Sequence, residues 1–539
     1  MDKTHPIDCI STSMEDTLSL TNEQSLKRRN WVLLLAFGLL LNIIVSFTSD
    51  LGLDTHVHMA RDSSLSESDE ATLPWGHTRP LDSMASNPEY SPSVEIGWYH
   101  FLPNSEKGVH FLGFSLMCLL LFLTISIFKI NGSLDHGISI AAIVAIHPTF
   151  IFATGRTFPE TIVAIFTIGL ILGLMIREKW QSWTGIFTSA TISGLSMGLI
   201  LFVKGINPWY CVIVIFLMLL WHSADNREKW HCFTQSPSFA IKIGTGGTLV
   251  GLLLLGMLSD SGTFSTMKTD SLRFSSAFLV ASIDVILIYG LFGMILWPII
   301  GNNFRKMWTI ESHEIAGIVG LISVLTTAIT FYIAALWTYE SKLWDANWPW
   351  MMWTMGNNGR YISMLMVPTF FLMFRIQQID SSALMPINAK EKSKAMFVGI
   401  CLVIPLSLLT AIHGQTMWTD DAAEILSENM EDGDDFLFVH DATLGMHYLY
   451  TFYTEINDEN TREITGHWRD PNSQWEIELF SEEQWDNRGN LSKIQWIVLA
   501  PGIEWENAPE EWKYTTGQAD FMNGGGEWKI YTNRVINFE

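Results

Sequence analysis

The chain has 539 residues, of which 48% are hydrophobic and only 16% are charged, and its mean hydropathy is +0.22. A soluble protein has about a quarter charged residues, so this composition excludes an ordinary soluble chain and indicates a membrane protein. The formal net charge of −23 excludes a nucleic-acid-binding protein, because such a surface repels polyanions.

Residues 1–30 are predicted as a cytoplasmic N-terminal tail, and its polar composition up to residue 25 favours disorder. The first apolar run starts at Trp31, which is too deep in the chain for the apolar core of a cleaved signal peptide. It follows Lys27, Arg28 and Arg29, so we expect a signal anchor that leaves the N-terminus in the cytoplasm.

Residues 31–413 form the predicted membrane domain. Apolar runs of about 20 residues recur along it, which is the length that crosses a bilayer as a helix. The sequence predicts about 11 transmembrane helices, at 31–48, 109–130, 138–154, 158–176, 184–203, 209–221, 239–258, 277–300, 315–337, 362–374 and 395–413.

The orientation follows from the basic residues of the short loops on the predicted cytoplasmic side. These residues are Arg177, Lys179, Arg227, Lys229, Lys242, Arg305, Lys306, Arg375, Lys390, Lys392 and Lys394. With the N-terminus inside, an odd number of spans places the C-terminal end outside. We therefore expect a multi-pass protein of the cell membrane with an extracytoplasmic C-terminal domain.

Residues 414–539 have the composition of a soluble domain, with 26 acidic and 7 basic residues. Amphipathic segments at 420–430 and 444–453 predict helices. Apolar or alternating segments at 435–440, 494–500 and 527–535 predict strands. The alternation of the two indicates a small α/β domain.

The predicted first outer loop, residues 49–108, contains a candidate general base. Asp54 follows the first span closely, and a carboxylate near membrane depth is usually functional. His56 and His58 follow at a spacing of two, so on an extended segment they share a face with Asp54 and are candidate ligands of a divalent metal ion. The alternative is an ordinary polar loop outside a helix.

The turn between the third and fourth spans contains Arg156 and Glu160. The planar guanidinium of Arg156 suits a phosphate group. Glu160 is a candidate catalytic carboxylate, or it stabilises the first turn of the fourth span with Arg156 as its ion-pair partner. The preceding His147–Pro148 pair predicts a kink in the third span.

Further cations lie at the predicted outer ends of later spans. Lys204 ends the fifth span, and Arg360 with Tyr361 opens the tenth. These residues are candidate ligands of a lipid phosphate, and the alternative is that the cations extend to the headgroups as membrane anchors.

Taken together, this order of motifs resembles the GT-C superfamily of membrane glycosyltransferases, in particular the branch with the protein O-mannosyltransferases and aminoarabinose transferases, in an archaeal version. In that branch an acidic residue opens a long first outer loop, as Asp54 does in LGLDTHVHMA. The branch often has an HP pair before the next outer turn, here HPTFIFATGRTFPETI, and an RY pair opening a late span, here GRYISMLMVP. The acidic pair typical of the family is absent, since Thr55 follows Asp54.

The resemblance implies an inverting transfer of a sugar from a polyprenyl (dolichyl) phosphate donor to a hydroxyl group of a protein, lipid or glycan acceptor. Asp54 would be the general base, and Arg156, Arg360 and Lys204 would take up the charge of the leaving phosphate. A divalent metal ion held by His56 and His58 is the alternative source of positive charge.

Two other classes remain open from the sequence. The first is a multi-pass transporter or lipid flippase, which usually contains repeats and interrupted helices at corresponding places. The second is a non-catalytic membrane scaffold whose acidic domain binds a partner.

Overall fold

The computed structural model describes residues 8–56, 59, 97–103, 105–225, 234–258, 263–343, 358–412, 417–440, 445–456, 464–481, 491–519 and 526–534. Most of the predicted first outer loop, including His58, lies outside the described residues. The helices of the N-terminal part are α1 Asp8–Thr48, α2 Glu106–Ile130, α3 Leu134–Ile146, α4 Pro148–Gly155, α5 Glu160–Lys179, α6 Trp183–Val203, α7 Cys211–Asp225, α8 Pro237–Leu258, α9 Thr266–Thr269, α10 Ser271–Met307, α11 His313–Leu343, α12 Asn358–Ser363, α13 Met366–Ile379 and α14 Ser393–Ile412.

Among the described residues, eight helices are long and apolar enough to cross a membrane, or nine if α3 and α4 form one bent span. This confirms the predicted polytopic helical architecture. Of the other two predicted spans, the segment 209–221 corresponds to a shorter apolar helix, Pro208–Ala224, and the segment 277–300 lies within α10. The number of 11 spans and the orientation in the membrane stay predictions.

The N-terminal tail differs from the prediction of disorder. Helix α1 begins at Asp8 and continues without a break into the first apolar segment. The sequence of this segment contains several good helix formers, among them Met, Glu, Leu and Gln. Low hydropathy alone therefore did not predict the backbone conformation here.

The third predicted span is broken at the His147–Pro148 pair, as predicted. Helices α3 and α4 meet there at 63°. Proline has no N–H, so the break leaves carbonyl groups without their helical donors. Neighbouring helices supply donors: Asn42 Nδ2 donates to the carbonyl of Ala145 at 2.9 Å, and Ser407 Oγ donates to the carbonyl of Ile146. Satisfying such groups inside a membrane is required for a stable break.

The C-terminal domain contains helices α15 Trp418–Asn429, α16 Gly445–Ile456 and α17 Trp475–Leu479. Its strands are β1 Asp435–Val439, β2 Thr465–Arg469, β3 Trp496–Leu499, β4 Lys513–Ala519 and β5 Gly526–Thr532. They form one sheet in the order β2-β1-β3-β5-β4. β1 is parallel to β2 and β3, whereas β5 is antiparallel to β3 and β4. The predicted α/β domain is therefore confirmed.

Alternation along the buried strands divides the core of this domain in two. On β1, Phe436 and Phe438 pack against α15 and α16, while Leu437 and Val439 face the layer that contains Trp475. Successive side chains of a strand point to opposite faces, so a fully apolar strand needs cover on both sides. The two layers provide that cover.

Candidate functional site

The candidate site is built around an ion pair between two residues that are 306 positions apart in the chain. Asp54 lies just after α1, and its Oδ2 accepts a hydrogen bond from Nη2 of Arg360, in α12, at 2.8 Å. The side chain of Asp54 is 43% exposed, whereas that of Arg360 is 11% exposed. The carboxylate therefore faces an accessible space, and the guanidinium lies beneath it.

Arg360 is held on two further sides. Its Nη2 also donates to the hydroxyl of Tyr361 at 2.7 Å, and its guanidinium lies 4.2 Å from the centre of the Phe158 ring. Phe158 is itself buried, with 4% exposure. A guanidinium over an aromatic face gains electrostatic stabilisation without losing its hydrogen-bonding edge. Arg360 is thus oriented before any ligand arrives.

Glu160 forms a second ion pair next to the first. Its Oε1 accepts a hydrogen bond from Lys204 Nζ at 2.6 Å, and its side chain is only 1% exposed. The ammonium group of Lys204 also lies 5.0 Å from the ring centre of Tyr361. The ion-pair partner of Glu160 is therefore Lys204, and not Arg156 as the alternative interpretation of the sequence expected.

Arg156 supports the site through its backbone. It follows α4, and its carbonyl accepts hydrogen bonds from the amide of Gly52 at 3.2 Å and from Thr55 Oγ1 at 2.9 Å. These bonds attach the segment that carries Asp54 to the turn after α4. The next residue, Thr157, has a φ of 51°, which is strained for a β-branched residue.

The side chain of Arg156 lies over a second aromatic ring, 4.4 Å from the centre of Phe152. The Phe152 and Phe158 rings are 5.7 Å apart. Two guanidinium groups are therefore separated by two contacting rings, in the order Arg156, Phe152, Phe158, Arg360. Sequence reasoning missed these phenylalanines, although both lie within four positions of Arg156.

Burial lowers the pKa of Arg156 to about 10, and the nearby carboxyl group of Asp50 opposes this effect. Arg156 therefore remains a cation at neutral pH. It also interacts electrostatically with Asp54 and with Arg360. Both cations therefore act electrostatically on the carboxylate of Asp54.

The two predicted metal ligands have different outcomes. His56 is 1% exposed, and its Nδ1 lies 2.6 Å from Thr454 Oγ1 of the C-terminal domain. Burial lowers the pKa of His56 to about 4, so its ring is neutral at neutral pH. His58 lies outside the described residues. Within the described part of the chain, no three His, Cys, Asp or Glu residues are placed to hold a metal ion, and the metal site stays a prediction.

The structure thus brings Asp54, Arg156, Glu160, Lys204, Arg360 and Tyr361 to one end of the helical bundle. We refer to it as the Asp54 end. One accessible carboxylate lies beside cations that are fixed by aromatic rings and ion pairs. Such a set can accept a proton at Asp54 and stabilise a neighbouring anion.

In comparisons with known proteins, no model of a known protein family matches the sequence, and no curated protein matches it.

Proposed function

We propose that the protein is a membrane glycosyltransferase that moves a sugar from a polyprenyl phosphate donor to an acceptor hydroxyl group. The observation that carries the proposal is the pair of Asp54 and Arg360, with the carboxylate accessible and the cation buried beneath it. A non-catalytic scaffold has no need of an accessible carboxylate held by a preorganised cation.

Asp54 is the proposed general base. Its side chain is 43% exposed beside the buried Arg360, so an acceptor hydroxyl group can reach the carboxylate. The acceptor hydroxyl would donate to Asp54 while its oxygen attacks the anomeric carbon. The proton then moves to the carboxylate as the carbon–oxygen bond to the phosphate breaks, which inverts the anomeric centre.

The leaving group of this reaction is a lipid phosphate, so positive charge has to be placed where it departs. Arg360 and Arg156 are the proposed phosphate ligands. Each guanidinium group lies over the face of an aromatic ring, and this contact uses the flat face of the guanidinium and not the N–H groups at its edge. Lys204 contributes charge at longer range, since Glu160 neutralises it. In this proposal Glu160 orients Lys204, and the exposure of Asp54 favours it over the buried Glu160 as the base.

The proposal is tested by transfer of labelled sugar from a panel of polyprenyl phosphate donors, using the purified full chain in lipid nanodiscs. We expect Asp54→Asn to lower the rate by about 10²–10⁴-fold, which is the usual contribution of a general base. Asp380→Asn is the matched control. Arg360 begins the candidate membrane span Arg360–Ile379, and Asp380 follows the other end of that span, so it lies far from Asp54.

Equal transfer by the wild type and Asp54→Asn would remove Asp54 from the role of base and leave Glu160 as the next candidate. No transfer from any donor of the panel would contradict the proposed activity.

A further inference from the structure

Acidic groups of the membrane domain and the C-terminal domain meet beside the Asp54 end. Asp50, just after α1, is 8% exposed, and its Oδ2 accepts a hydrogen bond from the backbone amide of Met417. Met417 precedes α15, so Asp50 caps the first helix of the C-terminal domain from another part of the chain. A helix N-terminus favours a negative charge, and this favours the ionised form of Asp50.

The side chain of Asp50 is also hydrogen-bonded to that of Asp420, in the first turn of α15. An ionised carboxylate has no proton to donate, so a hydrogen bond between two carboxyl groups requires one proton. With Asp50 stabilised as the anion, Asp420 is the group that holds the proton. Oδ1 of Asp420 is buried and has no other hydrogen-bond partner among the described residues, an arrangement that costs less for a neutral acid than for a carboxylate.

Other charges around the pair are mostly negative. Glu106 at the start of α2 acts on both aspartates, and it is hydrogen-bonded to Glu455 of α16, which faces Asp420 as well. Arg156 is the cation that acts on Asp50. Further titratable groups of the described residues here are Tyr448, which acts on Arg156, His110, which lies 3.4 Å from Glu106, and His56, which contacts α16.

The physical effects on the pKa of Asp420 have the same direction. Burial, the hydrogen bond to Asp50 and the charge of Asp50 raise the pKa of Asp420, to about 11. Burial also raises the pKa of Asp50, and its hydrogen bonds to Asp420 and Met417 oppose that effect. A neutral Asp420 is therefore part of the docked arrangement at neutral pH.

We propose that the C-terminal domain is docked on the Asp54 end by a shared proton between Asp50 and Asp420, and that alkaline pH releases this docking. The inference concerns docking and does not depend on the proposed reaction. Release of the C-terminal domain would expose the segment that carries Asp54, so this exposure would depend on the pH on the side of the membrane where the domain lies.

The direction of the pH effect follows from linkage. A group whose pKa is raised in the docked state favours docking fully below its undocked pKa, near 4, and loses this effect as pH rises toward the docked value. In that interval one linked proton changes the docking equilibrium by about tenfold per pH unit. We therefore expect the ratio of undocked to docked protein to rise about 10³-fold between pH 6 and pH 9.

The experiment is pulsed electron paramagnetic resonance on the full chain in lipid nanodiscs, with the native cysteines replaced by serine. Spin labels are attached at the exposed positions Thr48 of α1 and Lys513 of β4. The expected wild-type result is one narrow distance distribution at pH 6 and a growing population of other distances up to pH 9. Asp420→Asn should remain docked across this range, because an amide donates to Asp50 at every pH. Asp421→Asn, an exposed neighbour in the same turn, is the matched control and should titrate like the wild type.

Three results would overturn the inference: a wild-type distance that does not change between pH 6 and pH 9, an Asp420→Asn variant with the wild-type pH slope, or a docked fraction that follows added calcium or EDTA instead of pH. The last result would replace the proton by a divalent cation. If Asp420→Asn does not fold, the slope of the wild type alone decides between these outcomes.

Discussion

The closest backbone approach in the candidate site gives its most specific prediction. A Cβ atom added at Gly52 would lie 2.6 Å from Cζ of Phe158, far inside the contact distance of about 3.5–4.0 Å between carbon atoms. The ring would have to move by about 1 Å. It has little freedom to do so, because the Arg360 guanidinium lies 4.2 Å from its centre and Phe152 packs beside it at 5.7 Å.

Gly52→Ala should therefore disturb the ion pair of Asp54 and Arg360 as well as the packing. Forcing an extra methyl group into a filled site costs about 1–3 kcal/mol. We expect a lower apparent melting temperature in nanodiscs, and a loss of sugar transfer larger than the stability loss alone explains. Substitution of Phe158 by leucine in the same chain should recover stability but not transfer, since it makes room without replacing the aromatic face below Arg360.

The control is Gly247→Ala. Gly247 lies in α8, where an added Cβ meets no atom within 4 Å, so this change should be neutral or stabilising by about 0.5–1 kcal/mol. If Gly52→Ala matches Gly247→Ala in both melting temperature and transfer, the proposed contact between Gly52 and Phe158 does not position Arg360.

Three other predictions follow from buried charges and rings. Glu160→Gln leaves Lys204 without its counter-ion and should lower the free energy of unfolding by about 3–5 kcal/mol, whereas adding Lys204→Met should recover much of the loss in denaturant titrations. Phe158→Leu should raise the KM for the donor several-fold while Phe158→Tyr should not, because only an aromatic face gives Arg360 its stacking energy of about 0.5–2 kcal/mol. Glu478 is the buried partner of Arg469 and accepts two hydrogen bonds from it, at 2.8 and 2.5 Å. Glu478→Gln removes its charge and should destabilise the C-terminal domain by about 3–5 kcal/mol in thermal unfolding. An unchanged melting temperature would refute this prediction.

Local physics explains which parts of the fold were predictable. Long apolar runs predict helices because a membrane permits few other structures, and the kink at Pro148 follows from one missing N–H group. Strands β1 and β3 are continuous apolar runs, which are typical of buried parallel strands. Strands β2 and β4 escaped prediction because they carry polar residues. β2 also depends on β1, which lies far back in the chain, whereas β4 is an edge strand of the described sheet and pairs only with β5.

The membership of the candidate site was also visible in the sequence, since charged residues near span ends are few. The sequence did not indicate which of these charged residues pair with one another. One of the two interpretations of Glu160 paired it with Arg156 four positions away, but the packing of α6 against α5 brings Lys204, just after α6, to it instead. Partner choice of this kind is decided by helix packing, which no local pattern specifies. The carboxyl pair of Asp50 and Asp420 was missed for the same reason.

The break between α3 and α4 has a consequence beyond bending one span. Its two freed carbonyls accept hydrogen bonds from Asn42 of α1 and from Ser407 of α14. Asp50 follows α1, and α14 is the last helix before α15, which contains Asp420. The helices that precede the two carboxyl groups are therefore both bonded to one junction near Pro148. We therefore expect a substitution that shifts this junction, such as Pro148→Ala, to displace α1 and α14 together and to alter the contact between Asp50 and Asp420 from a distance.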